Sequence, residues 1–558
     1  MKNIKTTIMK NSHIIALVLF SIFSLSCEDY LVENPRTQVS LASFYKTESD
    51  ARNAADAMYK SLNNGIGTSM YGRYWPLIDA GTDDLICRRI FTSFMDHNVR
   101  STDRFLENTR QYSAIWEGLA RANDIIKYVP LVTADEAVKN EIVAEAHAFR
   151  AFCYFQLVRV WGDMPKVVNS VSTLEDFNLP RSSVDEIYNE IIIPDLQFAE
   201  EFGADELHIG RLTKWTAKVI LADVYLTRAG WRRTSQGDII QGDPSNWALA
   251  AAKAKEVIDN SPHSLITTDF VNGAHTTPAC GVPWLEDQPF SVESMFELGA
   301  TNISGLGSFL SRECVNRPNG GIYWGGNRST PLISEGITST VLEMAWPGQT
   351  TNGGSLLPSP DLYDAFEDGD ERRDWGIMTR YTDSDGSNYL CQPQFRKYMD
   401  MNFFLDIGDV AFQRADVNFI LYRYADALLI FAEAENEANG PTSDAYAAMN
   451  AIRNRAGLAS LSGLSKDDFR TAILNERRLE LHGEAKRRFD LIRTNGFTEM
   501  EADLITVWGA DQGSANDLIF YPTYGQVPWP DNEWLLPIPQ SQVNINSVND
   551  WYQNEGYN

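Results

Sequence analysis

The chain is poor in basic residues. Its 558 residues include 48 Lys and Arg against 75 Asp and Glu, which gives a formal net charge of −27 at pH 7. A protein that binds nucleic acid through the phosphate backbone needs an excess of Lys and Arg, because these side chains displace the counterions of the polymer. The composition therefore argues against nucleic acid as a partner.

Long hydrophobic runs are almost absent, which excludes a multi-pass membrane protein. The one uncharged apolar run is Ile14–Leu25, and Lys2, Lys5 and Lys10 precede it. A run of this length rises about 18 Å as a helix, which is too short for a hydrocarbon core of about 30 Å. A basic start followed by a short apolar segment is typical of a secretory signal. We therefore predict a signal peptide over residues 1–26.

Cys27 follows the small residue Ser26, and this pair is typical of a lipoprotein signal. We predict that Cys27 becomes the lipid-modified first residue of the mature chain, 27–558. The Leu that usually stands three positions before such a cysteine is replaced by Ser24, so an ordinary cleaved signal stays as the alternative. Two or three acyl chains on one residue would hold the protein firmly on a membrane surface.

Catalytic and metal-binding motifs are also missing. None of the six cysteines falls in a Cys-x-x-Cys pair, and none of the seven histidines falls in His-Glu-x-x-His. The sequence also has no Gly-x-Ser-x-Gly elbow and no phosphate-binding Gly-Lys-Ser/Thr loop. We therefore predict no metal, no cofactor and no enzymatic activity. A glycosidase stays as a remote alternative, since carboxylate pairs can be drawn anywhere among so many acids. A disulfide between Cys280 and Cys314 is left open.

Much of the sequence has the periodicity of α-helices. In residues 213–229, for example, Trp215, Val219, Ala222 and Leu226 recur every three or four positions. We predict a mainly α fold in which helical pairs stack as in tetratricopeptide repeats. The predicted helices cover about 47–62, 105–128, 135–161, 183–201, 213–229, 245–259, 418–438, 442–456 and 465–494.

A different composition separates the helical blocks. Residues 301–354 hold 10 of the 37 glycines, together with many Asn, Ser and Thr, which favours loops and short strands. No Pro- or Ser-rich linker intervenes, so we predict that 27–558 forms a single unit. Its parts are a helical scaffold over about 40–260 and 415–500, a loop-rich insert over about 260–415 and an irregular segment over 500–558.

The densest charged motif is Asn475–Arg493. On one helix, Glu484 would lie near Arg487 or Arg488, and Asp490 would lie near Arg487 and Arg493. We interpret the motif as a structural network of ion pairs along a helix rather than as a catalytic group. The pair Asp83-Asp84 is interpreted in the same way, as the start of a helix rather than a ligand contact.

The charged motif resembles the C-terminal signature Glu-Arg-x-x-Glu-Leu … Glu-x-x-Arg … Asp-Leu-x-Arg of the SusD/RagB family, and other stretches agree in order. The resemblance implies a surface nutrient-binding lipoprotein of the outer membrane that faces the cell exterior, with a tetratricopeptide-like scaffold. It also implies a SusC-like TonB-dependent transporter as partner and a glycan as ligand, with oligopeptide capture as the alternative. The agreeing stretches are Cys27–Pro35, Arg121–Asn123, Glu145–Arg150, Trp161–Pro165, Pro180–Ser183, Gly210-Arg211, Tyr422–Asp426, Ala432–Glu435, Arg453–Gly457, Leu536–Pro539 and Gln553–Tyr557.

A glycan site needs exposed aromatic faces beside groups that hydrogen-bond hydroxyls. Two clusters outside the predicted helices combine these residue types, and glycines flank the second, which would let a ligand approach the backbone. Packing in the core or against a partner is the alternative for each aromatic residue. The predicted ligand-binding residues are Tyr71, Arg73, Tyr74 and Trp75 in the first cluster, Tyr323, Trp324, Asn327 and Arg328 in the second, and Trp284.

Overall fold

The structure is a computed structural model, and its α-helices occupy most of the two blocks that the periodicity predicts. It describes residues 44–62, 78–87, 92–95, 97–103, 111–171, 173, 179–207, 210–273, 275–301, 303, 307–308, 310, 345–346, 356–383, 388–398, 416–496 and 529–557. The helices are α1 (Glu48–Tyr59), α2 (Thr92–Met95), α3 (Gln111–Tyr128), α4 (Glu136–Trp161), α5 (Val184–Ile187), α6 (Ile193–Phe202), α7 (Lys214–Ala229), α8 (Ser245–Asn260), α9 (Pro360–Asp364), α10 (Glu371–Gly376), α11 (Tyr424–Asn439), α12 (Ser443–Arg455), α13 (Lys466–Glu480), α14 (Arg487–Arg493) and α15 (Gln540–Ile545).

The long helices pack side by side in a chain of neighbours. Each helix in the series α1, α3, α4, α6, α7, α8, α11 packs against the next one in the series. Helix α11 also packs against α12 and α13. Helix α4 is apolar around most of its circumference, with Phe149, Phe152 and Phe155 at most 1% exposed. A helix of this kind is stable only when other helices surround it. The predicted mainly α fold with a tetratricopeptide-like scaffold is confirmed.

Side-chain caps fix where several of these helices begin. The Thr47 hydroxyl accepts the N–H of Asp50, and the Asp50 carboxylate accepts the N–H of Thr47 in return. Ser183 and Glu186 make the same reciprocal pair at the start of α5. Such caps satisfy N–H groups that have no partner inside the helix.

The strands are short and belong largely to the loop-rich part of the sequence. They are β1 (Leu85–Cys87), β2 (Trp231–Arg233), β3 (Ile239–Gln241), β4 (Phe270–Asn272), β5 (His275–Thr277), β6 (Ser294–Leu298), β7 (Ala345–Trp346), β8 (Leu356–Pro358), β9 (Ile377–Asp383), β10 (Asn388–Phe395) and β11 (Phe419–Arg423). Antiparallel pairs join β1 with β8, β2 with β3, β4 with β5 and β6 with β11, while β9 lies between β10 and a parallel β7. Cys280 is a free, buried thiol.

Two helix predictions near the C-terminal block need correction. Residues 419–423 of the predicted helix 418–438 form β11 instead, and every residue of this strand is buried. The predicted helix 465–494 is broken between α13 and α14, where Gly483 has φ +74° and Ala485 has φ +60°. Both values lie in the left-handed region, which an α-helix cannot contain.

The C-terminal segment is hydrogen-bonded to the end of α4 and to Arg181. The N–H of Leu536 donates to the carbonyl of Val160 over 2.7 Å. The fully buried side-chain amide of Asn554 donates to the carbonyls of Trp161 and Leu536, at 3.0 and 2.8 Å. The guanidinium of Arg181 adds a bond of 2.8 Å to the carbonyl of Tyr552. These bonds therefore attach the C-terminal segment to the end of α4 and to the segment that contains Arg181.

Candidate functional site

Among the predicted ligand-binding residues, the structure describes Trp284. This residue ends a 3₁₀ turn, Ala279–Trp284, and is half-buried. Its ring meets the ring of Tyr398 edge-on at 5.9 Å, and the ammonium of Lys397 lies 5.1 Å from its centre. These contacts fix the orientation of the indole, so any face that it offers a glycan would be preorganised. A ligand role for Trp284 stays a prediction.

The other predicted residues lie outside the described part of the chain. These are Tyr71, Arg73, Tyr74, Trp75, Tyr323, Trp324, Asn327, Arg328 and the predicted lipidation site Cys27. What the structure does describe is the chain that follows each of the two aromatic clusters. Residues 78–87 follow the first cluster, and residues 356–383 follow the second.

These two following segments are joined to each other. β1 pairs with β8 in antiparallel register, so that Leu85 lies opposite Pro358 and Cys87 lies opposite Leu356. The Ser359 hydroxyl donates to the carbonyl of Asp83, and the Ser359 N–H donates to the carbonyl of Asp84 over 2.9 Å. The structure thus places Leu85–Cys87, which lies shortly after the first aromatic cluster, beside Leu356–Pro358, which begins 28 positions after Arg328 of the second.

Two arginines of the C-terminal signature bind the junction, by which we mean the paired segments Asp83–Cys87 and Leu356–Asp361. Arg478 of α13 donates to Asp84 at 2.6 Å and to Asp361 at 2.5 Å. Arg487 of α14 makes two bonds to Asp83, at 2.8 and 2.6 Å. Buried ion pairs of this geometry fix the relative position of the elements that they join. The interpretation of Asp83 and Asp84 as a helix start was wrong, since both residues precede strand β1 and bind these arginines.

Another carboxylate near these aspartates, that of Asp79, has a raised pKa. Asp79 is 4% exposed, and its Oδ1 atom accepts the N–H of Arg488 at 2.9 Å. Burial, and to a smaller extent the nearby Asp84 carboxylate, raise the pKa of Asp79 to about 7. Below its folded-state pKa the carboxyl is neutral, so folding takes up a proton between about pH 4 and pH 7. The free energy of unfolding therefore falls as the pH rises through this range.

We expect Asp79→Asn to remove this pH dependence. The amide oxygen of Asn can accept the Arg488 N–H without carrying a charge that burial disfavours. The variant and the natural chain should be about equally stable at pH 4, and at pH 8 the variant should be more stable by about 1–3 kcal/mol. Urea unfolding at pH 4, 6 and 8 measures this difference. A difference that does not change with pH would contradict the assignment.

The centre of the signature is a buried cluster of opposite charges. Glu480 is 3% exposed and accepts bonds from the guanidinium groups of Arg423, Arg455 and Arg372. The three arginines draw the pKa of Glu480 well below its usual range, in spite of the opposing effect of burial. Glu293, which precedes β6, accepts from Arg423 at 2.8 Å and from Arg455 at 2.7 Å.

The cluster connects the loop-rich part of the chain to the helical scaffold. Arg372 lies on α10 and reaches Glu476 of α13 over 2.6 Å, and Lys397 reaches Glu484 over 2.7 Å. The predicted pair of Asp490 and Arg493 is confirmed at 2.7 Å. The prediction that Glu484 pairs with Arg487 or Arg488 was wrong, because Glu484 binds Lys397 and Arg423. The network thus crosses between elements instead of running along one helix.

Other motif residues have similar structural roles. Arg150 makes two bonds to Asp195, at 2.7 and 2.8 Å, and a third to the side chain of Asn123 at 2.9 Å. Glu145 accepts from Arg211 at 3.1 Å and from the hydroxyl of Tyr59 at 2.5 Å. The sequence signal for these contacts is a charged residue on a helix that is otherwise apolar. Spacing along the chain could not supply the partner.

The buried charge cluster is structural in character. Arginines lower the pKa values of the buried Glu480 and Glu484, so these two carboxylates have no proton to donate near neutral pH. Within the described residues, no group of three or more His, Cys, Asp or Glu side chains is placed to hold a metal ion. In the same part of the chain, none of the helices combines the length and apolar character needed to span a bilayer.

Two family descriptions match the sequence. Residues 343–557 match the SusD family, and residues 80–226 match the family described as starch-binding and associating with the outer membrane. The first match includes the signature helices α13 and α14 and the junction residue Asp361. The second includes Asp83, Asp84 and helices α2 to α7, apart from the last three residues of α7.

Individual relatives cover nearly the whole chain. The SusD-like protein P25 of Formosa agariphila is 30% identical over 97% of this chain and 98% of its own length. The crystal structure of a SusD superfamily protein from Parabacteroides distasonis has a TM-score of 0.69 and 25% identity, and it covers 91% of this chain and 99% of its own. The surface glycan-binding protein A of Bacteroides thetaiotaomicron, in complex with laminarihexaose, has a TM-score of 0.65 at 19% identity, covering 91% of this chain and 100% of its own.

Proposed function

Because the chain belongs to the SusD family, we propose that it is a cell-surface lipoprotein that captures oligosaccharides or polysaccharides. In this proposal the captured glycan passes to a SusC-like TonB-dependent transporter of the outer membrane, and the protein itself does not hydrolyse it. The observation that carries the proposal is similarity to SusD-like proteins along almost the entire chain. A structure of the same fold with a bound hexasaccharide supports it.

The electrostatics of the described residues also support a binding role. The charged side chains of the signature neutralise one another inside the protein, so they serve to hold the framework rigid. A rigid framework that carries variable loops suits a receptor, because the loops can change specificity without disturbing the core. The proposal also includes attachment of the protein to the outer membrane through an acylated Cys27. Mass spectrometry of the mature N-terminal peptide tests it, and an unmodified N-terminus would contradict it.

A panel of polysaccharides tests glycan capture directly. The purified mature chain is run in native gels that contain laminarin, starch, polygalacturonate or carrageenan, and bound glycans slow its migration. Calorimetry then gives the affinity, and an assay for reducing ends tests for hydrolysis. Binding without release of reducing ends supports the proposal. Binding of oligopeptides in place of every glycan would favour peptide capture, and release of reducing ends would establish a glycosidase.

The two aromatic clusters give the next prediction. We expect Trp75→Ala and Trp324→Ala each to weaken binding of the captured glycan by about 1–3 kcal/mol, because each removes an aromatic face against a sugar ring. Calorimetry measures the change. Trp551→Ala is a matched control, since Trp551 is 9% exposed and its Nε1 donates to the carbonyl of Leu179 within the protein. Unchanged affinity in both cluster variants would remove these clusters from the site.

A further inference from the structure

Within the described residues, one arginine of the loop-rich part has a guanidinium nitrogen without a hydrogen-bond partner. Arg396 begins a 3₁₀ turn, Arg396–Tyr398, directly after β10. Its Nη1 atom is buried and finds no hydrogen-bond partner among the residues that the structure describes. Burial alone lowers the pKa of the guanidinium to about 10, with no carboxylate opposing the effect. The residue as a whole is half-buried, and a guanidinium that is partly removed from water without a counterion costs folding energy, so its presence requires an explanation.

The indole of Trp375 lies against the guanidinium of Arg396. The central carbon of the Arg396 guanidinium lies 5.1 Å from the centre of the indole. Trp375 is 4% exposed, and its Nε1 atom is a second buried donor without a partner among the described residues. Gly281 lies so close to the indole that an added Cβ atom would come within 2.5 Å of it. The indole is therefore packed tightly against Gly281, and Arg396 and Trp375 each carry a donor that has no partner among the described residues.

The charged neighbours of Arg396 are bound to other groups. Beside it, Lys397 donates to Glu484 over 2.7 Å. On the adjacent α10, Arg372 binds Asp370 and two glutamates of α13, while Arg373 binds Asp374 at 3.0 Å. The exposed Glu371 of the same helix has no effect on the pKa of Arg396. The turn Ala279–Trp284, which packs against both elements, carries no charged residue. Among the described residues, therefore, no group compensates the charge of Arg396.

We infer that Arg396 and Trp375 form a binding site for an oxyanion, and that this oxyanion is a carboxylate or sulfate group on the captured glycan. A guanidinium presents a fork of N–H donors that matches the oxygens of either group, and the indole N–H adds one more donor. The site lies beside Trp284, because the turns that hold Trp284 and Arg396 contact each other. The assignment to a glycan rests on the proposed function.

The oxyanion site is tested first with sulfate. Thermal unfolding is followed in sodium sulfate and in sodium chloride of equal ionic strength for the natural chain, Arg396→Gln and Arg373→Gln. Sulfate stabilises many proteins by exclusion from the surface, so the control variant is needed. We expect sulfate to raise the Tm of the natural chain and of Arg373→Gln more than that of Arg396→Gln. Equal shifts in all three proteins would overturn the inference.

Stability in the absence of an oxyanion provides a second readout. Arg396→Gln removes an uncompensated buried charge, so in chloride it should fold at least as stably as the natural chain. A loss of stability in chloride would show that Arg396 has a structural partner and would overturn the inference. Arg396→Lys keeps the charge but loses the fork of donors, and we expect it to retain only part of the sulfate effect.

The glycan assignment is tested with a glycan that the panel identifies. Removing its carboxylates by reduction, or its sulfates by desulfation, should weaken binding to the natural chain at least tenfold and leave binding to Arg396→Gln unchanged. A neutral glycan bound equally well by both proteins would overturn this inference and leave the proposed function intact. A sulfate effect on Tm without any bound glycan would instead count against the proposed function and the glycan assignment together.

Discussion

Glu480→Gln is expected to lower the free energy of unfolding by about 3–5 kcal/mol. The substitution keeps the shape of the side chain but removes the negative charge that Arg423, Arg455 and Arg372 share. Three guanidinium groups would then lie close together in a region that water does not reach. Breaking a buried ion pair from one side is far more costly than leaving the pair unformed, because the remaining charge is already desolvated.

Acid should reduce this difference. The pKa of Glu480 in the folded protein is well below its usual value of 4.5. A depressed carboxylate stabilises the fold above its unfolded pKa, and the contribution is lost as the pH falls through the folded pKa. The gap between the natural chain and Glu480→Gln should therefore be complete at pH 7 and shrink below about pH 4.

Urea unfolding of both proteins at pH 7 and at about pH 3 measures these effects. Glu48→Gln is the matched control, since Glu48 pairs with Arg52 on the exposed face of α1 with 45% of its side chain accessible. We expect the control to lose at most about 0.5 kcal/mol. If Glu480→Gln lost no more than the control, the cluster would have no role in holding the loop-rich part on the scaffold.

Arg478→Met is expected to have the second largest effect, a loss of about 3 kcal/mol at pH 8. Arg478 is the shared partner of Asp84, Asp361 and Asp83, with N–O distances of 2.6, 2.5 and 3.4 Å. Methionine fills a similar volume, so the loss would come from the unpaired carboxylates. The pKa of Asp84 is already raised to about 6 by burial, and it would rise further without the cation.

The pH dependence distinguishes this cause from a packing defect. Once Asp84 is protonated it no longer needs the guanidinium, so the loss in Arg478→Met should be smaller at pH 5 than at pH 8. Arg470→Met on the same helix is the control, because Arg470 has 38% of its side chain exposed and pairs with Glu437 and Asp467 at the surface. A loss that is equal at both pH values would indicate packing. Adding Asp84→Asn to Arg478→Met should restore part of the stability.

The helices were largely predictable because burial imposes a periodicity on them. The predicted 135–161 and 213–229 correspond to α4 and α7 within one residue at each end. Strand β11 was missed because all of its residues are buried, and an unbroken apolar run looks the same in a buried strand and in a buried helix. The break after α13 was missed because one of its two residues with positive φ is Ala485. Alanine, unlike the glycine at position 483, does not indicate a left-handed conformation.

The charged network shows what sequence spacing cannot reveal. Spacing found the Asp490–Arg493 pair, whose members share one helix turn. It could not find Arg423 beside Glu484, or Arg478 beside Asp84, because those partners meet only when distant segments pack together. The unpaired state of Arg396 was equally hidden, since it depends on which groups fail to reach it. The predicted ligand aromatics other than Trp284 lie outside the described residues and stay predictions.

The position of the last residues bears on how the protein is made. Asn554 is fully enclosed, and its bonds to Trp161 and Leu536 close the end of α4. The end of α4 therefore acquires these bonds only after Leu536 and Asn554 have left the ribosome. A chain that stops only a few residues early would lack this closure, and its exposed apolar surface would mark it for proteolysis.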